Sequence, residues 1–396
     1  MKNLFRWRSP ARSDVSQTTA SDAKSTALSS MFALSSGGIA NWSQTDYGTL
    51  AHKGYMSNPI VYRCVRLISQ SAAAIPLLAY DDSQEVTDHP ILQLMKRPNS
   101  QQAGRDLMET LIGHLQVSGN AFVEMVSLNG EPKELHALRP DRVRPICDES
   151  GWTQAYEYKV NGHSTQYQTS QSGASPILHI ALFHPLDDQM GFPPLRAALM
   201  ALDVHSAASR WNKALLDNSA RPSGALVYSS AAGDNLTAEQ FSRLKSELEE
   251  GYTGASRAGR PLLLEGGLDW KAMGYSPKDM DFVDARNVAA REIALAFGVP
   301  PMLLGIPGDN TYSNYQEANR AFVRQAILPL INRIVDAINH WAAPHFNDGV
   351  RLAIDEDGIE ALAAERSIKW KQLAQADFLT DDEKREALGY SPRDGQ

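Results

Sequence analysis

Residues 107–126 read LMETLIGHLQVSGNAFVEMV, and their hydrophobic pattern changes at the glycine near the end of the stretch. Before Gly119 the apolar side chains recur at the spacing of one helical face: Leu107, Met108, Leu111, Ile112 and Leu115. After it, Ala121–Val126 has the length and composition of a short strand. A helix that passes directly into a strand predicts a mixed α+β region.

The segments on both sides of this stretch extend the interpretation. Asn58 and Pro59 suit the N-cap and the first position of a helix that ends at Pro76. Its predicted buried face consists of Cys64, Val65, Ile68, Ala72 and Ile75. On the C-terminal side, turn residues separate four more predicted strands: Glu134–Leu138, Val143–Ile146, Tyr156–Val160 and Ile177–Phe183.

From Pro193 onward the pattern becomes mostly helical. Two long helices are expected within 194–221 and 276–298. Their apolar packing positions are Leu199, Leu202, Trp211, Phe282, Ile293 and Phe297. The block between them, 222–275, has the pattern of short strands around a helix that starts at a capping box of Thr237 and Gln240.

A glycine-rich loop and another long helix follow. Residues 305–310 read GIPGDN, and a helix begins at Ser313, which forms a second capping box with Gln316. Pro329 is expected to kink this helix, because proline removes a backbone bond and clashes with the preceding turn. Beyond Asn347 the chain is expected to be helical, and it carries 12 acidic residues against 7 basic ones.

Composition and charge exclude several classes of protein. The chain has 396 residues, of which 43% are hydrophobic, and a net charge of −8. It can build a sizeable core, but it lacks the general basic surface that holds nucleic acid. Two cysteines, Cys64 and Cys147, cannot form a disulfide framework or a zinc cluster. The longest nearly apolar stretch, Ala72–Tyr80, is about half the length of a membrane span, so we expect a soluble intracellular protein without a signal peptide.

The first fifty residues differ in composition from the rest. They are rich in Ser, Thr, Ala and Gln, which bury too little surface to offset the entropy of ordering, so 1–50 is predicted to be a flexible arm. Residues 1–30 carry five basic and two acidic side chains. Two interpretations stay open: a disordered tail, or an arm that contacts nucleic acid or a neighbouring subunit.

The sequence contains no motif of a known catalytic site. It lacks a phosphate-binding P-loop, a Gly-x-Ser-x-Gly nucleophile turn and a His-Glu-x-x-His metal pair. His179 and His184 lie five residues apart on a predicted strand and point to opposite faces, so a structural role is expected. The Asp355–Gly358 stretch resembles a fragment of a calcium loop but lacks its ligand spacing. We therefore expect no enzyme, metal or cofactor.

The order of several short motifs resembles the portal, or head-to-tail connector, proteins of tailed bacteriophages, prophages and gene-transfer particles. Each motif is weak alone, but their order over about residues 58 to 392 is specific. The matching stretches are Cys64–Ser69, His89–Asn99, Gly119–Phe122, Leu138–Val143, Ile177–Ile180, Gly191–Leu195, Asn218–Gly224, Gly259–Leu262, Leu264–Gly267, Ser276–Asp279, Ala296–Pro301, Thr311–Asn314 and Leu379–Arg385.

The resemblance implies a subunit of a ring, usually of twelve copies, and assigns a part of that subunit to each segment. The implied parts are a wing (51–193), two stem helices (194–221 and 276–298), a clip (222–275), a tunnel loop (299–315), a long wing helix (316–346) and a crown (347–396), after the arm 1–50.

The resemblance also implies partners and a location. The ring would sit at a capsid vertex of a virion assembled in the bacterial cytoplasm, and contact the major capsid protein, the terminase large subunit, a head-tail adaptor and double-stranded DNA, but no membrane. Asp309, Asn310, Thr311 and Tyr312 would line the channel, and Arg257 and Arg260 would contact clip partners. Two alternatives remain: a capsid protein without a channel, and a hydrolase using Asp355, Asp357 and a histidine.

Overall fold

The computed structural model contains both the helix and the strand that flank Gly119. It describes residues 46–82, 84–169, 175–217, 224–228, 237–243, 246, 268–272, 282–308, 312–346 and 349–388. The helices are α1 (Tyr47–Thr49), α2 (Pro59–Ala73), α3 (Pro90–Lys96), α4 (Gly104–Ser118), α5 (Pro194–Ala197), α6 (Leu199–Asp217), α7 (Phe282–Ala296), α8 (Tyr312–Phe322), α9 (Leu328–Phe346), α10 (Ala363–Ala374) and α11 (Asp381–Ala387), besides helical residues within 238–246.

The strands form small antiparallel sheets. They are β1 (Leu77–Asp81), β2 (Gln84–Glu85), β3 (Asn120–Leu128), β4 (Glu131–Leu138), β5 (Val143–Cys147), β6 (Thr153–Val160), β7 (His163–Gln168), β8 (Ile177–Ala181), β9 (Gly224–Tyr228), β10 (Leu268–Ala272) and β11 (Arg351–Ile354). The strand orders are β11-β1-β2, β4-β3-β8, β5-β6-β7 and β10-β9. The mixed α+β class predicted from the sequence is therefore confirmed.

The main core lies where α2, α4 and α9 pack against the β4-β3-β8 sheet. The Asn58 side chain caps α2 by accepting hydrogen bonds from the backbone N–H groups of Ile60 and Val61. Every apolar position predicted for the α2 and α4 faces is buried, apart from the half-buried Ile75. Local periodicity therefore identified the central helices correctly.

The second half of the chain returns to this core through a π-helical turn. Residues Val323–Ile327 form this turn, which ends just before Pro329. Since proline cannot donate a backbone hydrogen bond, the widened turn accommodates the interruption that the sequence predicted at this position. Helix α9 then buries Ile331, Ile334 and Val335 in the core.

The structure corrects several sequence-based expectations. The chain beyond Asn347 was expected to be helical, but its first described element is strand β11, which pairs with β1. The helix expected after Pro193 is divided at Ala198 into α5 and α6. Strand β8 ends at Ala181, so His184 lies in the following loop. These errors share a cause, because long-range pairing and local breaks leave little trace in hydrophobic periodicity.

The turn between α4 and β3 is fixed by a close approach of two backbones. Gly119 has a left-handed φ of 77°, and a Cβ at this position would lie 2.5 Å from the carbonyl oxygen of Gly191. A Cβ on Gly191 would in turn overlap the Gly119 carbonyl. Only glycine fits at both positions.

The buried side chain of Asn120 holds this approach together. Its Oδ1 accepts hydrogen bonds from the Gly191 backbone N–H at 2.7 Å and from His179 Nε2 at 2.9 Å, and its Nδ2 donates to the Ser118 carbonyl at 2.9 Å. His179 stacks on Phe122 with ring centroids 4.2 Å apart. Burial lowers the pKa of His179 to about 4, so the ring is neutral at physiological pH. His179 therefore has the structural environment expected from the sequence.

The Asn120→Ala variant tests the importance of this amide. It removes the acceptor for two buried donors, and unsatisfied buried donors each cost about 1–3 kcal/mol, so the free energy of unfolding should fall by about 3 kcal/mol. Urea or thermal unfolding measures the loss. Asn332→Ala, at an exposed position of α9, is the matched control and should change stability little. Equal stability of the two variants would contradict the role given to Asn120.

Candidate functional site

Helices α6 and α7 pack side by side and form the most distinctive surface of the chain. Strand β9 follows α6 in the sequence and β10 precedes α7. The two strands pair antiparallel, with Gly224 opposite Ala272 and Tyr228 opposite Leu268. The order helix, strand, strand, helix is therefore that of an extended hairpin. Both strands lie in the 222–275 block, where the sequence pattern predicted short strands.

The predicted packing positions of the two helices fall into three groups. Leu202, Ile293 and Phe297 are buried, and Leu199 is half-buried against the core. Trp211 is exposed instead, although its spacing placed it with the others. The side chain of Phe282 lies outside the described residues. Periodicity located the apolar positions but did not reveal that some of them face outward.

An apolar stripe remains on the outside of the helix pair. We define this stem stripe as six side chains that are between 40% and 78% exposed: Met200, Val204 and Trp211 of α6, and Val283, Val288 and Leu295 of α7. Met200, Val204 and Trp211 are four and eleven residues apart, which places them on one helical face. Exposed apolar side chains grouped on a helical face in this way are typical of a protein–protein contact surface.

A buried polar contact ties the helix pair to the first region of the chain. Asn58, which caps α2, is joined through its Nδ2 to Nδ1 of His205 in α6 at 3.0 Å. Burial lowers the pKa of His205, and the nearby Arg286 charge lowers it further. The neutral imidazole can accept this hydrogen bond, so α6 is positioned by the same residue that starts α2.

The segment after α7 is anchored to that helix in its first half. Gly298 and Gly305 adopt left-handed backbone conformations on either side of a short 3-10 helix, Pro301–Leu304. Ile306 is buried against Ala290 and Ala294, and the Arg291 guanidinium donates to the Pro307 carbonyl. The loop therefore leaves α7 from a fixed base.

The predicted channel and clip residues lie mostly outside the described residues. Asp309, Asn310 and Thr311 are not described, and Tyr312 is seen only as the backbone start of α8, one residue before the predicted helix start. Arg257 and Arg260 also lie outside the described residues. In the same block the predicted capping box is confirmed, since the Gln240 N–H bonds Thr237 Oγ1 and Gln240 Oε1 accepts from the Thr237 N–H.

The helix that follows the loop is linked to the C-terminal helices by an ion-pair cluster that sequence reasoning missed. Arg320 of α8 contacts Glu317 at 3.2 Å and Glu365 of α10 at 3.4 Å, and Arg324 in the π-turn also pairs with Glu365. Arg320 and Arg324 lie 45 and 41 residues before Glu365, so only the fold brings these two pairs together.

The acidic turn at Asp355–Gly358 is held by its own hydrogen bonds. Asp355 Oδ1 accepts from the Gly358 N–H at 3.1 Å, and Asp357 pairs with Arg366 at 3.3 Å. Within the described ranges, no group of three His, Cys, Asp or Glu side chains could hold a metal ion. No helix in the same ranges is long and apolar enough to cross a membrane.

Comparison with known proteins identifies the family. The family model described as phage portal protein matches residues 59–389. The chain belongs to the phage portal protein family. It is 25% identical over 350 residues to the portal protein of Enterobacteria phage HK97, a match that covers 85% of this chain and 79% of that protein.

Two solved structures resemble the chain over most of its length. One is a chain of the neck of an empty gene transfer agent (GTA) particle computed with C6 symmetry, with a TM-score of 0.72, 47% identity and coverage of 90% of this chain and 96% of that chain. The other is from the neck of a native GTA particle computed with C12 symmetry, with a TM-score of 0.70, 47% identity and coverage of 89% and 95%. The family expected from the motif order is confirmed, and it is a family of portal proteins and not of enzymes.

Proposed function

We propose that this chain forms a ring-shaped DNA channel at one vertex of a phage-like capsid. In this role it docks the packaging terminase, passes and retains double-stranded DNA, and then joins the head to the tail. The observation that carries the proposal is the exposed stem stripe, on a chain that closely resembles a component of a twelvefold-symmetric particle neck. The same likeness supports a homododecamer located in a virion or gene-transfer particle, assembled in the bacterial cytoplasm.

The stem stripe supports ring assembly on energetic grounds. Burial of apolar surface contributes about 25 cal/mol per Å², so six large exposed side chains represent a considerable driving force for association. In a cyclic ring each subunit makes the same pair of contacts with its two neighbours. The stripe would then be covered by the helix pair of the adjacent copy.

The charge of the chain fits a channel better than a DNA-recognition module. Each contact between a phosphate and a cation adds affinity and would retard sliding, whereas a net charge of −8 disfavours tight binding. The sequence has no P-loop, so the energy for packaging would come from a separate terminase ATPase.

Each part of the chain receives a role in this proposal. The region 51–193 is the wing and contacts the major capsid protein, 194–221 and 276–298 are the stem, and 222–275 is the clip that meets the terminase and later the head-tail adaptor. Residues 299–315 form the tunnel loop, 316–346 return to the wing, and 347–396 form the crown. The proposal assigns no partner to the arm, 1–50, and its predicted boundary is too late, since Tyr47–Thr49 form α1 and Leu50 is buried in the main core.

Ring assembly through the stem is tested with Leu295→Glu. This side chain is exposed in the single subunit, so the variant should fold normally, but an unpaired charge buried between subunits would weaken each contact by at least about tenfold. Light scattering and negative-stain images should show rings with a central hole for the unaltered protein and smaller species for the variant. Leu128→Glu, at another exposed leucine outside the stem, is the matched control and should form rings.

Three results would count against these assignments. An unaltered protein that stays monomeric at every concentration would refute the ring. Assemblies without a central hole would favour the alternative of a capsid protein that forms no channel. If Leu295→Glu forms the same rings as the unaltered protein, the stem stripe is not part of the interface between subunits.

The tunnel loop is tested by deleting Gly308 to Asn310. If Asp309, Asn310 and Tyr312 line the narrowest part of the channel, the shortened loop should leave rings intact but lower the nuclease-protected DNA per particle. The double variant Asp309→Gly with Asn310→Gly keeps the loop at its full length but removes two polar side chains. It therefore separates the effect of loop length from the effect of these side chains. Normal DNA content in the deletion variant would refute the role of the loop.

The clip is tested by Arg257→Glu. Arginine makes bidentate contacts with carboxylates or phosphates, and charge reversal should weaken association with the terminase or the adaptor by about tenfold or more while rings still form. Arg257→Lys keeps the charge but not the bidentate contacts. Its pull-down affinity for the partners should therefore lie between those of the unaltered protein and of Arg257→Glu. If Arg257→Glu binds both partners normally but forms less stable rings, then Arg257 pairs instead with acids of the same ring, such as Glu249 or Glu250.

A further inference from the structure

Two neighbouring loops of the wing expose large apolar side chains. Trp152, just after β5, is 77% exposed, and Phe183 and Leu186, after β8, are 80% and 92% exposed. The side chain of Gln189 joins the two loops, because it donates to the Gly151 carbonyl at 2.5 Å and accepts from Thr153 Oγ1 at 2.6 Å. We call Trp152, Phe183 and Leu186 the acidic-rimmed patch, for the charges described below.

Hydrogen bonds within the two loops fix the backbone beside these side chains. Asp148 Oδ1 accepts from the backbone N–H of Trp152 at 2.9 Å, and His184 Nδ1 accepts from the N–H of Leu186 at 3.1 Å. Asp187 Oδ1 accepts from the N–H of Gln189 at 2.8 Å. These bonds fix the loop backbone that carries Trp152 and Leu186 on the surface, where a second molecule could cover both side chains.

The charges around the patch restrict the chemistry of that second molecule. Its loops, 147–153 and 182–193, contain four acidic residues and no Lys or Arg: Asp148, Glu149, Asp187 and Asp188. A polyanion such as DNA would be repelled. The matching partner is a protein surface that offers apolar contact area with a positive rim.

The chain itself carries such a surface at the start of α2. Met56 and Tyr62 are 67% and 46% exposed, Lys53 and Arg63 are exposed beside them, and the Arg66 guanidinium lies 5.9 Å from the Tyr62 ring centroid. Residues 47–80 contain no Asp or Glu; Glu109 of α4 reaches Arg66 at 3.5 Å but leaves Lys53 and Arg63 available. We call this the basic face.

We infer that the acidic-rimmed patch of one subunit docks on the basic face of the next subunit in the ring. A heterologous ring contact requires two different, complementary surfaces on each copy, and both surfaces are present here. The inference rests on the proposed ring and adds a second contact between neighbouring subunits, in the wing. Because charged side chains surround this contact, its strength should fall as the salt concentration rises.

Charge reversal on each surface tests the inference. Variant A, Glu149→Lys with Asp188→Lys, leaves the turn-forming Asp148 and Asp187 intact; variant B is Lys53→Glu with Arg63→Glu. Each variant alone places like charges against each other, so ring assembly should require about tenfold more protein than the unaltered chain. An equimolar mixture of A and B should restore assembly, because every contact in an alternating ring then joins opposite charges.

Sedimentation velocity or mass photometry distinguishes the outcomes, with thermal unfolding to check that each variant is folded. Rescue in the mixture, but in neither variant alone, supports the inference. Leu186→Ser should also weaken assembly without changing its salt dependence. If A and B each assemble like the unaltered chain, the inference is wrong while the ring stands. If A assembles normally but no longer joins a capsid shell, the patch belongs to the shell contact. An unaltered chain that forms no ring refutes the proposed function itself.

Discussion

The buried amide of Asn120 supports the part of the molecule from which the other elements extend. It joins the end of α4, the start of β3, the ring of His179 on β8 and the backbone at Gly191. The chain enters α5 and α6 just after Gly191, so the placement of these two helices depends on the same contact. The close approach of Gly119 and Gly191 leaves no room for a side chain, and the amide oxygen accepts the hydrogen bond of the buried Gly191 N–H.

A second constraint acts between α2 and α6. Asn58 begins α2 and also contacts His205, so one side chain determines both where α2 starts and where α6 lies. With α6 placed in this way, Trp211 and Leu295 are exposed to solvent in the single chain. The single chain therefore exposes apolar surface that a neighbouring copy would cover in the proposed ring.

Features set by neighbouring residues were predictable from the sequence, and features set by distant ones were not. The faces of α2 and α4, the capping box at Thr237 and the α+β class follow from local spacing. The outward orientation of Trp211 did not, because periodicity cannot identify which molecule covers an apolar face. The ion pairs of Glu365 and the strand β11 also escaped prediction, since each depends on a partner far away in the chain. The motif order supplied the family without supplying these contacts.

The pairing of β11 with β1 has a consequence for biosynthesis. Leu77 to Tyr80 find their partners in Ile354 to Arg351, near the other end of the described chain. During synthesis this strand edge therefore stays unpaired until residues 351–354 have emerged, and pairing between such distant segments slows folding. Chains truncated before this strand would keep the edge exposed, which favours aggregation and removal by proteases. The late strand thus ties the completion of this sheet to the synthesis of residues 351–354.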